Sequence, residues 1–92
     1  MADYELILTD GKPRYPVEPL IDYLHSQGIT EFKEMSEACG KPDEWMSRLL
    51  KRKEEEPTTG LTDQVADEVA VNLGHHPLAI WGNLYWEYLK HG

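Results

Sequence analysis

The chain is poor in the residues that cross-link a fold, cross a membrane or neutralise phosphate. Its one cysteine, Cys39, allows no internal disulfide and no zinc site built from several thiolates. No apolar run approaches the roughly 18 residues a membrane-spanning helix needs, which argues against a membrane partner. Basic residues are scarce: 9 Lys and Arg stand against 17 Asp and Glu, for a net charge of −8. That balance counts against generic nucleic-acid binding. Phenylalanine occurs once, and Leu, Ile, Val and Phe together make up about 22% of the residues. This is just above the ~20% below which a highly charged chain tends to stay disordered. The opening MADYELILTDG is acidic and lacks a long apolar stretch, so no signal peptide is expected and the cytoplasm is the default location. With 92 residues, the expectation is one domain spanning 1–92, with a small core.

What is present reads as short helices behind an N-terminal hairpin or arm. Residues 1–15 contain Glu5-Leu6-Ile7-Leu8-Thr9, then Asp10-Gly11, then Lys12-Pro13-Arg14-Tyr15. Asp-Gly between extended-favouring residues signals a tight hairpin turn. Pro13 cannot donate to a ladder, so its strand is an edge or irregular. Residues 16–56 then carry three helices. The first covers about Val17 to Gln27, with prolines in its opening turn and Gly28 beyond its end. Thr30 is placed to cap the second, with Phe32, Met35 and Cys39 on one face and Gly40 as its stop. The third runs over 42–54 behind an apolar stripe of Trp45, Met46, Leu49 and Leu50. Pro57-Thr58-Thr59-Gly60 reads as a linker, 57–60. Residues 61–92 carry the C-terminal helices. Thr62 caps a fourth helix with Val65, Ala66, Val69, Ala70 and Leu73 inward, and Gly74 ends it. Pro77 opens a short fifth, Gly82 interrupts, and an aromatic-rich helical tail follows. The fold class is therefore mainly α, with five or six short helices. EMSEACGKP and EVAVNLGHHP recur at an offset of 34 residues, which points to one turn geometry shared by two helix pairs.

The spacing around Gly40 fits a helix-turn-helix. Met35 and Cys39 supply apolar residues five and one before the glycine, and Ser36 a small residue four before it. Met46 and Leu49 supply apolar residues six and nine after it. Lys41 stands where an aliphatic residue is usual. In this arrangement the second helix enters the major groove and the first crosses the backbone. Arg48 and Ser47 are then candidates for base edges, and Lys41, Lys51, Arg52 and Lys53 for phosphates. Charge is segregated accordingly: residues 41–53 carry +3 and the remainder −11. The plainer alternative is a solvated helix end, in which the basic run pairs locally with Glu54-Glu55-Glu56.

No other cluster suggests chemistry. His75 and His76 are adjacent and lack a partner at ligand spacing, so no metal or cofactor is expected. Cys39 lies on an apolar face, and no triad, phosphate loop or paired carboxylates can be argued, so no enzyme is expected. The tail residues Trp81, Leu84, Tyr85, Trp86, Tyr88 and Leu89 hold more aromatic area than one short helix needs. Trp81 should be core, whereas Trp86, with Tyr85 and Tyr88, is the candidate partner interface.

Two blocks of the sequence resemble small helix-turn-helix proteins of actinobacterial phages, of the mycobacteriophage type. One is RYPVEPLIDYL, and the other is GLTDQVADEVAVNLGHHPLAIWG. The second carries a Gly-Leu-Thr start (Gly60, Leu61, Thr62), then Ala66, Asp67, Ala70, Val71, Leu73, Gly74, His76, Pro77 and a closing Ile80-Trp81. The resemblance covers about residues 14–82. Members are usually basic in the reading helix, where this chain has Asp43-Glu44-Trp45-Met46. The resemblance implies a phage-encoded regulator that binds double-stranded DNA in a bacterial host cell, read as a homodimer. The alternative is an acidic modulator that keeps the fold, has lost DNA binding, and binds or inhibits a host protein.

Overall fold

The computed structural model describes residues 4–9 and 11–91. Two short strands, β1 (Ile7–Thr9) and β2 (Lys12–Arg14), form an antiparallel hairpin. Pro13 lies opposite Leu8. Thr9 and Lys12 close a two-residue loop, so pairs alternate and Leu8–Pro13 is the one that needs no N–H from proline. The turn's first residue, Asp10, lies outside the described residues. Six helices follow among the described residues: α1 (Glu18–Ser26), α2 (Phe32–Ala38), α3 (Trp45–Glu55), α4 (Asp63–Asn72), α5 (Pro77–Trp81) and α6 (Asn83–His91).

The core draws on every segment. Val17, Leu20 and Leu24 of the α1 region are buried with Met35 and Cys39, Met46 and Leu49, Leu61, and Ala66, Val69 and Ala70 of α4. Ile80, Trp81 and Leu84 complete it from the C-terminal side. Tyr15 is the aromatic hub: its ring tilts against Trp81 at 5.1 Å and stacks on Tyr88 at 4.9 Å. Burial pushes the Tyr15 phenol up to about 12. The Trp81 indole N–H donates to the Pro16 carbonyl at 2.8 Å, so the buried ring has a polar partner.

The stretch 57–60 is no free linker. Tyr15 and Leu61 exchange both backbone hydrogen bonds at 2.8 Å, and Thr59 is buried. A side chain at Gly60 would meet the Tyr15 carbonyl oxygen at 2.8 Å, so glycine permits this close crossing. The loop leaving α3 is thereby stitched to the end of the hairpin.

Three expectations need correction. Glu31, not Thr30, is the N-cap of α2, and no side chain caps it. Thr30 sits one residue too early, since a capping oxygen reaches the N2 or N3 amide only from the N-cap itself. The third helix begins at Trp45 rather than at residue 42. Lys41 still belongs to the preceding turn, its N–H bonded to the Ser36 carbonyl, and the Pro42 carbonyl then accepts from Trp45 in a separate turn. Phe32 is half exposed although Met35 and Cys39 are buried. As the first residue of a two-turn helix, it projects past the edge of the core.

The 34-residue echo has a structural counterpart. Gly40 and Gly74 both have positive φ, +72° and +80°. Lys41 donates to Ser36 and His75 to Ala70, each reaching back five residues, as in a Schellman C-cap.

Candidate nucleic-acid interface

The α2–turn–α3 unit is built as the spacing requires. Met35, Ser36, Cys39, Met46 and Leu49 are all buried where the two helices meet. Ser36 does more than fill a small space. Its hydroxyl donates to the Phe32 carbonyl and accepts from the Met46 N–H, both at 2.9 Å. A side chain of α2 thus satisfies an orphan amide in the first turn of α3, which lacks a side-chain cap of its own. On the far side of the turn, Asn72 of α4 donates to the Cys39 carbonyl at 2.9 Å. Cys39 is a neutral packing residue. Burial raises its thiol to about 11, and nearby Lys41 opposes this only in part.

The outward side of α3 carries part of the expected basic face. Arg48 is exposed and pairs with Glu44, one turn earlier, at 2.6 Å. Such an exposed pair is worth little and is easily exchanged for another anion. Ser47 is half buried, its hydroxyl donating to the Glu44 carbonyl at 3.0 Å. Lys51 and Arg52 are exposed, and among the described residues neither forms an ion pair. The other two bases turn inward. Lys41 pairs with Glu68 of α4 at 2.8 Å and lies 6.0 Å over the Trp45 ring. Lys53 pairs with Glu18 at the start of α1, and burial lowers its pKa. Of the six candidate contacts, Ser47, Arg48, Lys51 and Arg52 remain on the outward side, whereas Lys41 and Lys53 tie α3 to its neighbours. Beside this face lies a recess lined by Phe32, Ser47, Leu50, Lys51, Lys53 and Glu54. The sequence places Phe32 on one face with Met35 and Cys39, which gives no sign of the recess.

The C-terminal aromatics divide. Trp86 and Leu89 are half exposed. Tyr85 stands edge-on between the rings of His76 at 4.7 Å and Trp86 at 5.3 Å. Tyr88 departs from the expected interface. Stacked on Tyr15, with its hydroxyl facing Asp63, it closes the core. The two histidines have structural partners: His75 Nε2 lies 2.5 Å from the Tyr23 hydroxyl, and His76 Nδ1 accepts from the Leu78 N–H at 3.1 Å to cap α5.

No family model matches the chain, and no curated protein or solved structure matches it. Among the described residues, no helix is long and apolar enough to cross a membrane.

Proposed function

We propose that the protein is a helix-turn-helix regulator that lays α3 in the major groove of double-stranded DNA, of the kind that its resemblance to phage proteins suggests. One observation carries this reading. The whole buried pivot of Met35, Ser36, Cys39, Met46 and Leu49 is in place, while Ser47, Arg48, Lys51 and Arg52 remain on the outward side of the helix it supports. In such a unit the first helix crosses the backbone and the second meets base edges. Arg48 suits guanine, and Lys51 and Arg52 suit phosphates. Binding by a homodimer supplies two such helices one turn of DNA apart.

The test is a band shift on genomic fragments over a range of salt. Three available cations per protomer correspond to a slope of log affinity against log salt of about −3, and about −5 for a dimer. Absence of any shift at low salt overturns the reading. A second reading rests on a different observation, the half-exposed Trp86 and Leu89 of α6. Aromatic residues of this kind anchor protein interfaces, and an acidic protein of this fold docking on a host protein would use them. Loss of partner capture in Trp86→Ala, with no DNA binding by the parent protein, is the result that favours it.

A further inference from the structure

We propose that the recess between α2 and α3 reads the 5-methyl group of thymine, so that Phe32 determines base preference. This rests on the reading of α3 as a major-groove helix and adds the chemistry of one of its contacts.

Phe32 is the chain's one phenylalanine, and it is 48% exposed while Met35, one turn on, is buried. Leu50, which faces Phe32 across the recess, packs on the core. The recess therefore has a core-packed apolar wall on α3 and a half-exposed aromatic wall on α2. Its rim is polar, with the Ser47 hydroxyl, the Lys51 ammonium, the Glu54 carboxylate and Lys53, which is tied to Glu18. Ser47 and Lys51 also belong to the outward side of α3, so anything α3 meets passes this rim.

Duplex DNA offers one apolar group in the major groove, the thymine methyl. Cytosine presents only a C5–H at the matching position, and the other groups there are hydrogen-bond donors or acceptors. An apolar notch beside a cation on a groove-facing helix is complementary to that methyl, with the phosphates drawn to Lys51 and Arg52. Lys53 is already neutralised by Glu18, so Glu54 opposes seating a phosphate in the notch itself, which favours a base edge as the occupant.

The experiment selects a duplex from a randomised pool with the unaltered protein and then replaces each thymine, one at a time, with deoxyuridine. Uracil keeps the hydrogen-bonding edge and removes only the methyl. The expected result is one thymine per half-site whose replacement weakens binding about fourfold, the worth of burying one methyl group. Phe32→Ala should bind the thymine and uracil duplexes alike, and Phe32→Leu should keep part of the preference. Phe32 is half exposed, so both variants should stay folded and lose little in the melt. The inference is overturned if no replacement costs affinity, if Phe32→Ala keeps the full penalty, or if the single strand binds better than the duplex. The first two outcomes leave α3 as a major-groove helix, whereas preference for the single strand removes that reading as well. Failure to select any duplex removes both readings together.

Discussion

Replacing Gly40 with alanine adds one carbon at a point where two constraints meet. The residue has φ +72°, a region in which an L side chain costs about 1–2 kcal/mol. The new Cβ would also lie 2.3 Å from Asn72 Nδ2 and 2.8 Å from its Cγ, far inside contact distance. Asn72 must swing away, and in doing so it loses its hydrogen bond to the Cys39 carbonyl. A lost bond of this kind costs about 0.5–1.5 kcal/mol, so the total is about 2–3 kcal/mol. Gly74 is the internal control. It has the same turn and φ +80°, but nothing lies within 4 Å of its added Cβ. Gly74→Ala should therefore cost only the backbone strain. For a domain of this length, 1 kcal/mol moves Tm by about 4–8 °C. Gly40→Ala should lower Tm by about 10–20 °C and Gly74→Ala by roughly half as much. A thermal melt by circular dichroism reads both. Adding Asn72→Ala to Gly40→Ala should recover part of the loss, although Asn72→Ala alone destabilises. Equal shifts for the two glycines, with a strictly additive double variant, would refute the role of Asn72 as a brace across the turn.

Trp81→Ala should cost about 3–5 kcal/mol and leave the domain badly weakened, whereas Trp86→Ala should melt nearly unchanged and show its effect in sedimentation or partner binding. If both unfold the protein alike, α6 is purely core. Arg48→Ala should cost about 1–3 kcal/mol of DNA affinity and relax base preference, while Lys51→Ala should weaken all sequences equally and reduce the salt slope by about 1; unchanged affinity in both removes α3 as the reading helix. Burial raises the pKa of the Cys39 thiol from 9.0 to about 11 and of the Tyr15 phenol from 10.0 to about 12. Raised folded-state values mean that stability is intact below pH 9 and falls as pH climbs towards 11–12. In Cys39→Ala the fall should begin about one unit later, near 10, and denaturant titrations showing the same alkaline profile in both proteins would contradict the burial argument.

Local chemistry was legible in the sequence wherever one residue type decides the outcome. Gly40 and Gly74 mark helix ends because the backbone there turns left-handed. Thr62 caps α4 through its own hydroxyl, which accepts from the Val65 N–H. The Met35, Ser36, Cys39, Met46 and Leu49 spacing identified the helix pair, and Trp81 and Trp86 separated by the polarity of their neighbours. The errors came from partners distant in sequence. The start of α3 depends on Ser36 reaching Met46, ten residues on, and a cap lent by another helix leaves no trace in local propensity. The sequence offers the basic run phosphates or the neighbouring Glu54-Glu55-Glu56, yet Lys41 finds Glu68 and Lys53 finds Glu18. Helical periodicity puts a residue on a face of its own helix, but not against another element. Phe32 failed for a related reason. Its spacing matches the inner face of α2, but that face extends beyond the core.

The inward turn of Lys41 and Lys53 changes what charge segregation means here. Counted by sequence, residues 41–53 hold five bases. Counted by what a phosphate can reach without breaking a tie to α1 or α4, they hold Arg48, Lys51 and Arg52. Against them stands a remainder of net charge −11. Non-specific binding scales with the number of phosphates neutralised, so a protein with three available cations holds random DNA weakly. The acidic remainder opposes approach to the duplex by faces other than that of α3 on balance of charge. Both effects favour discrimination over raw affinity. If α3 reads DNA as proposed, the binding energy has to come from base-edge contacts and from a second copy engaged at the same time. A strong salt slope in a monomer is therefore incompatible with this arrangement, whereas a shallow slope that steepens on dimerisation follows directly from the positions of Lys41 and Lys53.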